Sequence, residues 1–375
     1  MPWMEMSAMD QRLEFVRLAQ LEGSNRRELC RRFGISAQTG YKWLARADLG
    51  ADLADQSRRP LTSPWQSGPE IESAVRALRG EHPAWGARKI KAVLERRLCV
   101  VPAASTVHAI LARHQLIFPK RSGEPAHLRF ERDRPNELWQ MDFKGVSTLG
   151  NGRRLHPLTL VDDHSRYCPC LVACEDQTEA TVKTHLTQVF RQHGLPEAFF
   201  VDNGPPWGDS QGGEWTHFKV WLMKLDIRLI HARPYHPQSR GKNERFHRSM
   251  DEEIFSMQPI TDHAQAQRVF DKWRDIYNHE RPHEGIAMLR PADRYRHSLR
   301  PMPEKLPEPT YGESDIVKRV GTRVALVRFK GSRWRLPKSF RGEHIAIRAH
   351  DNDATFGCYF GANLIRTIDL RQKKE

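Results

Sequence analysis

Apolar residues recur at helical spacing through the first third of the chain. The spacing predicts helices at 12–21, 26–33 and 37–47. Asn25 and Ser36 stand where the second and third helices need N-caps, and Gly34 supplies the turn between them. Three further helices are predicted between residues 69 and 116. The chain therefore begins with two small helical units.

The pattern changes after residue 137, where short apolar runs alternate with helical segments. Runs at 138–143, 155–161 and 167–173 predict an antiparallel meander. Further elements are predicted as a helix at 178–193, a strand at 198–201, a helix at 218–225, a strand at 228–231 and a helix from about 241. The last segment has short apolar runs separated by turn residues, at 324–329, 333–336, 344–347 and 356–360, which predict a small β-barrel.

Proline-rich and polar stretches divide these regions. The predicted organisation is a helix-turn-helix domain at 1–49, a linker at 50–68, a second helical, helix-turn-helix-like domain at 69–118, a linker at 119–132, an α/β core at 133–300, a proline-rich linker at 301–310 and a small β-barrel at 311–375. The chain is therefore expected to be a multidomain protein.

Composition narrows the class of protein. No apolar run is long enough to cross a membrane, and the first residues lack the pattern of a secretory signal, so we expect a cytoplasmic protein without a membrane partner. The six cysteines lack the spacing of a zinc site, and Cys168, Cys170 and Cys174 are interpreted as buried thiols of a strand. A structural zinc at these three cysteines is the less favoured alternative.

The net charge of +14 is unevenly distributed. Residues 1–132 carry 22 basic and 14 acidic side chains, residues 133–300 carry 23 of each, and residues 301–375 carry 15 basic and 9 acidic ones. The excess of +8 and +6 in the two flanks, around a neutral centre, indicates a catalytic core that basic modules hold on a nucleic acid.

The first three helices have the layout of a helix-turn-helix, with Cys30 and Trp43 facing inward. The predicted DNA contacts are Gln38, Thr39, Lys42 and Arg46 on the third helix, with Arg27 and Arg31 on the second. Gly40 is an imperfection in this helix, because glycine is a poor helix former. A plain three-helix bundle with a solvated basic face is the alternative.

The other two flanking modules carry weaker signals. The second helical unit offers Arg88, Lys89 and Lys91 to phosphate, and it is equally well interpreted as a spacer between domains. In the carboxyl-terminal module, Arg333 is the predicted DNA contact among several basic residues that are interleaved with aromatic ones. The alternative for this module is a cap for folding or dimerisation.

Three acidic residues in the centre carry the candidate chemistry. Asp142 lies inside an apolar strand, Asp202 follows a buried strand beside Gly204, and Glu244 lies in the first turn of a basic helix. Three carboxylates from different elements can bind two Mg²⁺ ions for phosphoryl transfer. Asp162 and Asp163 are interpreted as a turn rather than as metal ligands. The acids predicted to lie on the surface are Asp209, Asp226, Glu252 and Glu253.

These residues resemble the DDE transposases of bacterial insertion sequences, whose catalytic core is similar to retroviral integrase. The matching stretches are Trp139-Gln140-Met141-Asp142, Val201-Asp202-Asn203-Gly204, His236-Pro237-Gln238, Gly241 to His247, Tyr277 to His283 and Pro291-Ala292. One departure is an unusually long separation of 41 residues between Asp202 and Glu244, which places an extra loop at 208–214. No zinc-binding domain of the retroviral kind is apparent.

The resemblance implies an RNase H-like fold and a catalytic, metal-binding triad of Asp142, Asp202 and Glu244. It implies two Mg²⁺ ions per active site when DNA is bound, with Mn²⁺ as a substitute, and a homo-oligomer, dimer or tetramer, on the bacterial nucleoid. The partners are the terminal inverted repeats of the element and the target DNA, with no small-molecule substrate. Further DNA contacts are expected at Arg233, His236, Gln238, Lys242, Arg245 and Arg248.

The expected reaction frees 3′-hydroxyls at the element ends and joins them to target DNA. Two alternatives remain at this point. A related two-metal nuclease would cut DNA without joining it, and a DNA-binding regulator would carry an inactive core. The presence of all three acids disfavours the regulator.

Overall fold

The computed structural model describes residues 7–56, 67–117, 131–208, 215–232, 241–350 and 354–371. The chain forms two compact units, Met1–Gln66 and Ser67–Glu375. The predicted contacts Arg233, His236 and Gln238 lie outside the described residues, as does most of the predicted extra loop.

Within residues 7–56, the described part of the first unit, there are three helices, α1 (Ala8–Ala19), α2 (Arg26–Arg32) and α3 (Ala37–Asp48). The first of them begins and ends earlier than the spacing indicates, because Ser7 caps it and forms a capping box with Asp10. Asn25 and Ser36 cap the other two helices as predicted. Cys30 and Trp43 are buried in the core of this unit, again as predicted.

Gly40 is not an imperfection of α3, contrary to the expectation from helix propensity. A Cβ atom at this position would lie 2.4 Å from Cys30 Sγ and 2.9 Å from the ring of Phe15. The absent side chain is what lets α3 approach α1 and α2, so close packing outweighs the intrinsic cost of glycine in a helix.

The second unit begins with three helices, α4 (Pro69–Glu81), α5 (Ala87–Arg97) and α6 (Ala104–Arg113). Their shared core also receives Ile276 from the central region. The Arg96 guanidinium donates to the carbonyl oxygen of Met288 at 2.8 Å. These contacts fasten the helices to the central α/β region.

The central region is built on a mixed sheet of six strands, β1 (Trp139–Phe143), β2 (Ser147–Thr148), β3 (Arg154–Asp162), β4 (Cys170–Cys174), β5 (Ala198–Val201) and β6 (Arg228–His231). The strand order is β2-β3-β1-β5-β6, and β4 also pairs with β3. The meander is antiparallel as predicted, whereas β1, β5 and β6 run parallel.

Helices cover both faces of this sheet. They are α7 (Glu179–His193), α8 (His217–Lys224), α9 (Gly241–Met250), α10 (His263–His279) and the short α11 (Pro291–Arg294). On one face, Trp139, Met141, Phe199 and Val201 pack against residues of α7 and α8. On the other face, residues of β3 and β4 pack against α9 and α10. This layered arrangement is the predicted RNase H-like architecture.

The outer edge of β4 is occupied by side chains of α10. The Gln267 amide accepts a hydrogen bond from the Ala173 N–H at 2.9 Å and donates to the Leu171 carbonyl at 3.2 Å. The Asn278 amide bonds both the N–H and the carbonyl of Cys168, at 2.8 and 3.0 Å. Two side-chain amides thus take the place of a neighbouring strand.

The three clustered cysteines are free buried thiols, as predicted. Burial raises the pKa of Cys168 and Cys174 to about 12, so both stay protonated at neutral pH. Within the described ranges, no helix is long and apolar enough to span a bilayer.

The carboxyl-terminal segment contains β7 (Ile316–Arg319), β8 (Leu326–Phe329), β9 (Ser332–Arg335), β10 (His344–Ala349), β11 (Thr355–Phe360) and β12 (Asn363–Asp369). Their pairing gives a four-stranded antiparallel sheet, β12-β11-β10-β7, and a separate β8–β9 hairpin. The two share one core, to which Val220, Trp215 and Met223 of the central region also contribute. The described strand pairs do not confirm a closed barrel.

Candidate active site and nucleic-acid interface

Asp142 lies in β1, and Asp202 directly follows the last residue of the neighbouring parallel strand β5. The register pairs Trp139 with Phe199 and Gln140 with Phe200. If the same register is extended beyond the end of β5, Asp202 corresponds to Asp142 on the adjacent strand, and adjacent strands are roughly 4.8 Å apart. Because side chains alternate along a strand, both acids point away from the α7 and α8 layer and toward the face that α9 covers.

Local hydrogen bonds fix the turn that presents Asp202. The Gly204 N–H donates to Asp202 Oδ1 at 3.1 Å, and the Asn203 side-chain amide donates to the carbonyl of Ala232 at 3.0 Å. His231 Nδ1 lies 2.9 Å from the carbonyl oxygen of Asp202. The end of β5 is therefore held against the end of β6, and both Asp142 and Asp202 are half-buried.

Glu244 lies in the first turn of α9, where its side chain is exposed. Phe246 and Met250 of this helix are buried against the sheet. Glu244 is three residues before His247, so the two share a helix face. His247 Nε2 lies 2.9 Å from Thr159 Oγ1, and that hydroxyl donates to the carbonyl oxygen of Asp142 at 2.9 Å. A short polar chain thus links the helix of Glu244 to the strand of Asp142.

His247 and Thr159 were not predicted from the sequence as part of this site. A signal exists for His247, since it stands one turn after Glu244, but the partner on β3 follows only from the strand register. Burial lowers the pKa of His247 to about 4, and nearby Lys144 adds to the effect. The imidazole is therefore neutral at pH 7 and donates through Nε2 to the threonine oxygen.

Asp162 and Asp163 form the predicted turn, and both side chains are fully buried. Asp162 accepts from the Asn136 N–H at 2.8 Å and from Ser165 N and Oγ at 2.7 and 2.5 Å. Asp163 accepts from the Arg132 N–H and from Gln140 Nε2, each at 2.8 Å. Burial raises the pKa of Asp162. Both carboxyls stabilise the backbone around the turn.

Lys242 points into the protein and forms a salt bridge with Asp163. Its side chain is only 16% exposed, and burial lowers its pKa to about 8 while Asp163 acts in the opposite direction. This placement does not favour the predicted phosphate contact, because the ammonium is already paired. Arg245 and Arg248, the other predicted contacts on α9, are exposed.

Glu253 is not on the surface, contrary to the prediction. Its carboxylate binds Arg281 at 2.9 Å and Trp273 Nε1 at 3.0 Å, in a salt bridge whose two side chains are 8% and 5% exposed. The partner is 28 residues away in the sequence, so spacing alone gave no sign of the pair. Asp226 is fully exposed, as predicted, and Asp209 lies outside the described residues.

The three candidate acids are not gathered into a ligand set in this structure. Among the described residues, no group of three or more His, Cys, Asp or Glu side chains is placed to hold a metal ion. Asp142 and Asp202 come from two adjacent strands, whereas Glu244 is an exposed residue in the first turn of α9, a helix that directly follows residues 233–240, which are outside the described ranges. The catalytic triad stays a prediction.

The exposed face of α3 differs in part from the predicted one. Gln38 and Lys42 are exposed as expected. Arg46 instead bonds the carbonyl of Ala54 at 3.2 Å and Gln56 Oε1 at 2.9 Å, and Thr39 is half-buried beside the Ser36 cap. Tyr41, which the sequence reasoning missed, is 48% exposed. Its spacing of three residues from Gln38 is the signal that would have found it.

Predicted phosphate contacts at the two ends of the chain are on the surface. Arg27 and Arg31 of α2 are exposed, and Arg31 is paired with Glu28 at 2.8 Å.

Arg333 lies on the exposed face of the β8–β9 hairpin, directly opposite Arg328. The hairpin has a two-residue turn, Lys330-Gly331, in which both φ angles are positive. Like charges placed directly across two strands repel each other, and a bound polyanion would relieve that repulsion.

Known families match successive parts of the chain. Two integrase core domain families match residues 132–237 and 225–291. The chain carries an integrase core. A helix-turn-helix domain family matches residues 11–60, a homeodomain-like domain family matches 39–111, and the IS481 family transposase C-terminal domain matches 315–375. Together these matches confirm the resemblance to insertion-sequence transposases with an integrase-like core.

Individual relatives match part of this chain over part of their own length. An uncharacterized 31.7 kDa protein of insertion element IS407 from Burkholderia multivorans is 30% identical over 159 residues, which are 42% of this chain and 55% of the relative. A 39.2 kDa protein of insertion element IS476 from Xanthomonas euvesicatoria is 32% identical over 158 residues, 42% of this chain and 44% of the relative. The chain thus spans about half the length of these curated relatives.

Solved structures of retroviral integrases show a weaker likeness. A simian T-cell lymphotropic virus intasome, in complex with PP2A regulatory subunit B56 gamma, aligns with 79% of this chain and 100% of its own, at 17% identity and a TM-score of 0.38. The catalytic core of HTLV-2 integrase in complex with magnesium covers 44% of this chain and 99% of its own, at 14% identity and a TM-score of 0.33. At these TM-scores the likeness adds nothing to the strand order described above.

Proposed function

We propose that this protein is a DNA transposase that binds the ends of its element, frees 3′-hydroxyls and joins them to target DNA by metal-dependent phosphoryl transfer. The observation that supports the proposal is that Asp142 lies in β1, Asp202 directly follows the adjacent parallel strand β5, and Glu244 lies in the first turn of α9. Helix-turn-helix and transposase carboxyl-terminal family matches on either side of an integrase core support DNA as the substrate.

The donor chemistry of the candidate site suits Mg²⁺, with Mn²⁺ as a substitute. Carboxylate oxygens are the protein ligands that Mg²⁺ prefers. Asp142 and Asp202 would hold the metal, and Glu244 would complete the site from α9. Two bound ions would neutralise the charge that develops on the phosphoryl oxygens and activate the attacking hydroxyl.

The remaining work falls to the protein's own side chains. Thr159 and His247 orient the strand of Asp142 relative to α9. Arg245 and Arg248 are exposed on the helix of Glu244, where they would bind the phosphates of DNA that enters the site. No nucleophilic side chain is required, because water or a DNA 3′-hydroxyl attacks the phosphorus.

The flanking modules would supply recognition. We assign the face of Gln38, Tyr41 and Lys42 to the major groove of the element ends and the β8–β9 hairpin to phosphates. A pair of element ends requires at least two copies of the chain, so the active form would be a homo-oligomer on the bacterial nucleoid.

Strand transfer with pre-cleaved element ends tests the reaction. The wild-type chain should join such ends to a target plasmid in the presence of Mg²⁺, and Asp142→Asn should abolish joining while end binding persists. Cleavage without joining would identify a nuclease instead. Full activity of the Asp142→Asn variant would remove the catalytic assignment.

A further inference from the structure

The helix that bears Glu244 is tied to the sheet at two buried points, one on each side of that residue. Lys242, two residues before Glu244, pairs with Asp163. His247, three residues after it, meets Thr159 Oγ1 at 2.9 Å. The exposed acid therefore lies between two polar contacts that fix the rotation and height of α9 over the sheet.

Asp163 connects both acid-bearing elements through one carboxylate. Its Oδ1 accepts from Lys242 on α9 and from Gln140 Nε2 on β1, at 2.8 Å for the latter. Gln140 is two residues before Asp142, so both lie on the same face of β1. The side chain that bonds Lys242 thus also bonds the strand of Asp142.

The remaining contacts of Asp163 hold this carboxylate in a single orientation. Its Oδ2 accepts from the Arg132 N–H at 2.8 Å, and its own N–H donates to the carbonyl of Leu138 at 2.9 Å. The side chain is fully buried. A buried salt bridge adds little to stability compared with an apolar pair of similar volume, so its value lies in fixed geometry.

We propose that Asp163 is a positioning residue for the candidate active site, which holds the helix of Glu244 against the strand of Asp142 through Lys242 and Gln140. The inference rests on the proposed function, because it assumes that these acids bind a divalent metal. Removing the Asp163 charge would leave α9 free to shift or rotate, and the metal would bind more weakly although each of its ligands is still present.

The test compares four full-length variants: Asp163→Asn, Asp163→Asn with Lys242→Met, Asp162→Asn and Asp142→Asn. Asp162 is the matched control, since it is as buried as Asp163, yet among the described residues the hydrogen bonds of its carboxylate go to Ser165 and the Asn136 N–H and not to a side chain of β1 or α9. Three properties are measured for each chain: thermal unfolding, Mg²⁺ binding by calorimetric titration, and the Mg²⁺ dependence of strand transfer.

Asp163→Asn should weaken Mg²⁺ binding about 10- to 100-fold and raise the Mg²⁺ concentration for half-maximal joining by a similar factor. The double variant should recover thermal stability, because no unpaired charge stays buried, while its Mg²⁺ requirement remains high. Asp162→Asn should lower stability and leave the Mg²⁺ requirement as in wild type.

Two results would overturn the inference while the proposed function stands: normal Mg²⁺ binding in Asp163→Asn, or recovery of both stability and Mg²⁺ binding in the double variant. Either would assign Asp163 a structural role alone. If Asp142→Asn joined ends as well as wild type, the proposed function itself would fail, and this inference with it.

Discussion

The helix-turn-helix unit and the integrase core use polar side chains in opposite ways. On α3, Gln38, Tyr41 and Lys42 project from a helix whose other face packs inward. In the core, by contrast, polar side chains point inward and contact each other: Lys242 pairs with Asp163, and His247 contacts Thr159. A surface that meets DNA can leave its side chains free until contact, whereas a metal site needs its ligands placed beforehand. Under the proposed function, this contrast would separate recognition from chemistry within one chain.

The largest expected effect comes from comparing a variant of the integrase core with a variant of α3, each tested for strand transfer and for binding to element ends. Asp202→Asn should lower strand transfer on the order of 1,000-fold, because a metal ligand contributes several kcal/mol to the transition state, and leave end binding unchanged. Tyr41→Ala with Lys42→Ala should weaken binding to element ends about 10-fold and leave joining normal at saturating protein. Gel-shift and strand-transfer assays measure the two properties. Loss of both properties in either variant would contradict the separation.

Substitution of two glycines, one in α3 and one in α4 as its control, tests the packing of the first unit. Gly40→Ala should destabilise the first unit by about 1–3 kcal/mol, since the new methyl group would meet Cys30 and Phe15. Gly80→Ala is the matched control, because this glycine lies near the end of α4 with nothing within 4 Å of an added Cβ. That change should raise stability by up to about 1 kcal/mol. Thermal unfolding measures both, and equal effects would refute the role of Gly40.

Lowering the pH should reduce the stability of the second unit, which contains the integrase core, but not that of the first unit. Burial lowers the pKa of His193 to about 4, while an unfolded histidine titrates near 6.5. The unfolded state therefore binds the proton first, and stability falls as the pH drops from 6.5 toward 4, by roughly 2 kcal/mol at pH 5 for this residue. Residues 1–66 contain no histidine.

In His193→Gln, the unfolding temperature of the core should fall less between pH 7 and pH 5 than it does in wild type. The unfolding transition of the first unit serves as the internal reference. An unchanged pH dependence in this variant would show that His193 does not carry the effect.

The smallest expected effect concerns the carboxyl-terminal hairpin. Replacing Arg328 and Arg333 by serine should raise stability by a few tenths of a kcal/mol, because two facing like charges are removed. The slope of log affinity for DNA against log salt should fall by roughly 2, about one for each lost phosphate contact. Titrations of a non-specific duplex at several salt concentrations measure the slope. An unchanged slope would place this hairpin away from DNA.

The sequence predicted most of the fold because its local signals are strong. Asp142 stood out as an acid within an apolar strand, and Asn25 and Ser36 marked helix starts correctly. The alignment of Asp142 with Asp202 depends on a parallel pairing across 60 residues, which periodicity does not encode. The burial of the Lys242 and Glu253 side chains likewise depends on partners that are distant in the sequence, Asp163 and Arg281. Charged residues such as these are usually on the surface, but their salt bridges with distant residues place them inside the protein.

The amides of Gln267 and Asn278 also determine how copies of this chain can meet. An uncovered strand edge is a template on which another chain can extend a sheet, and such extension has no natural end. Here backbone groups of Leu171 and Ala173 in β4, and of Cys168 just before it, already bond side chains of α10. Adding a strand at this edge would first require removal of the two side-chain amides. Self-association that stops at a defined number of copies is therefore compatible with this edge, whereas open-ended fibre growth from it is blocked.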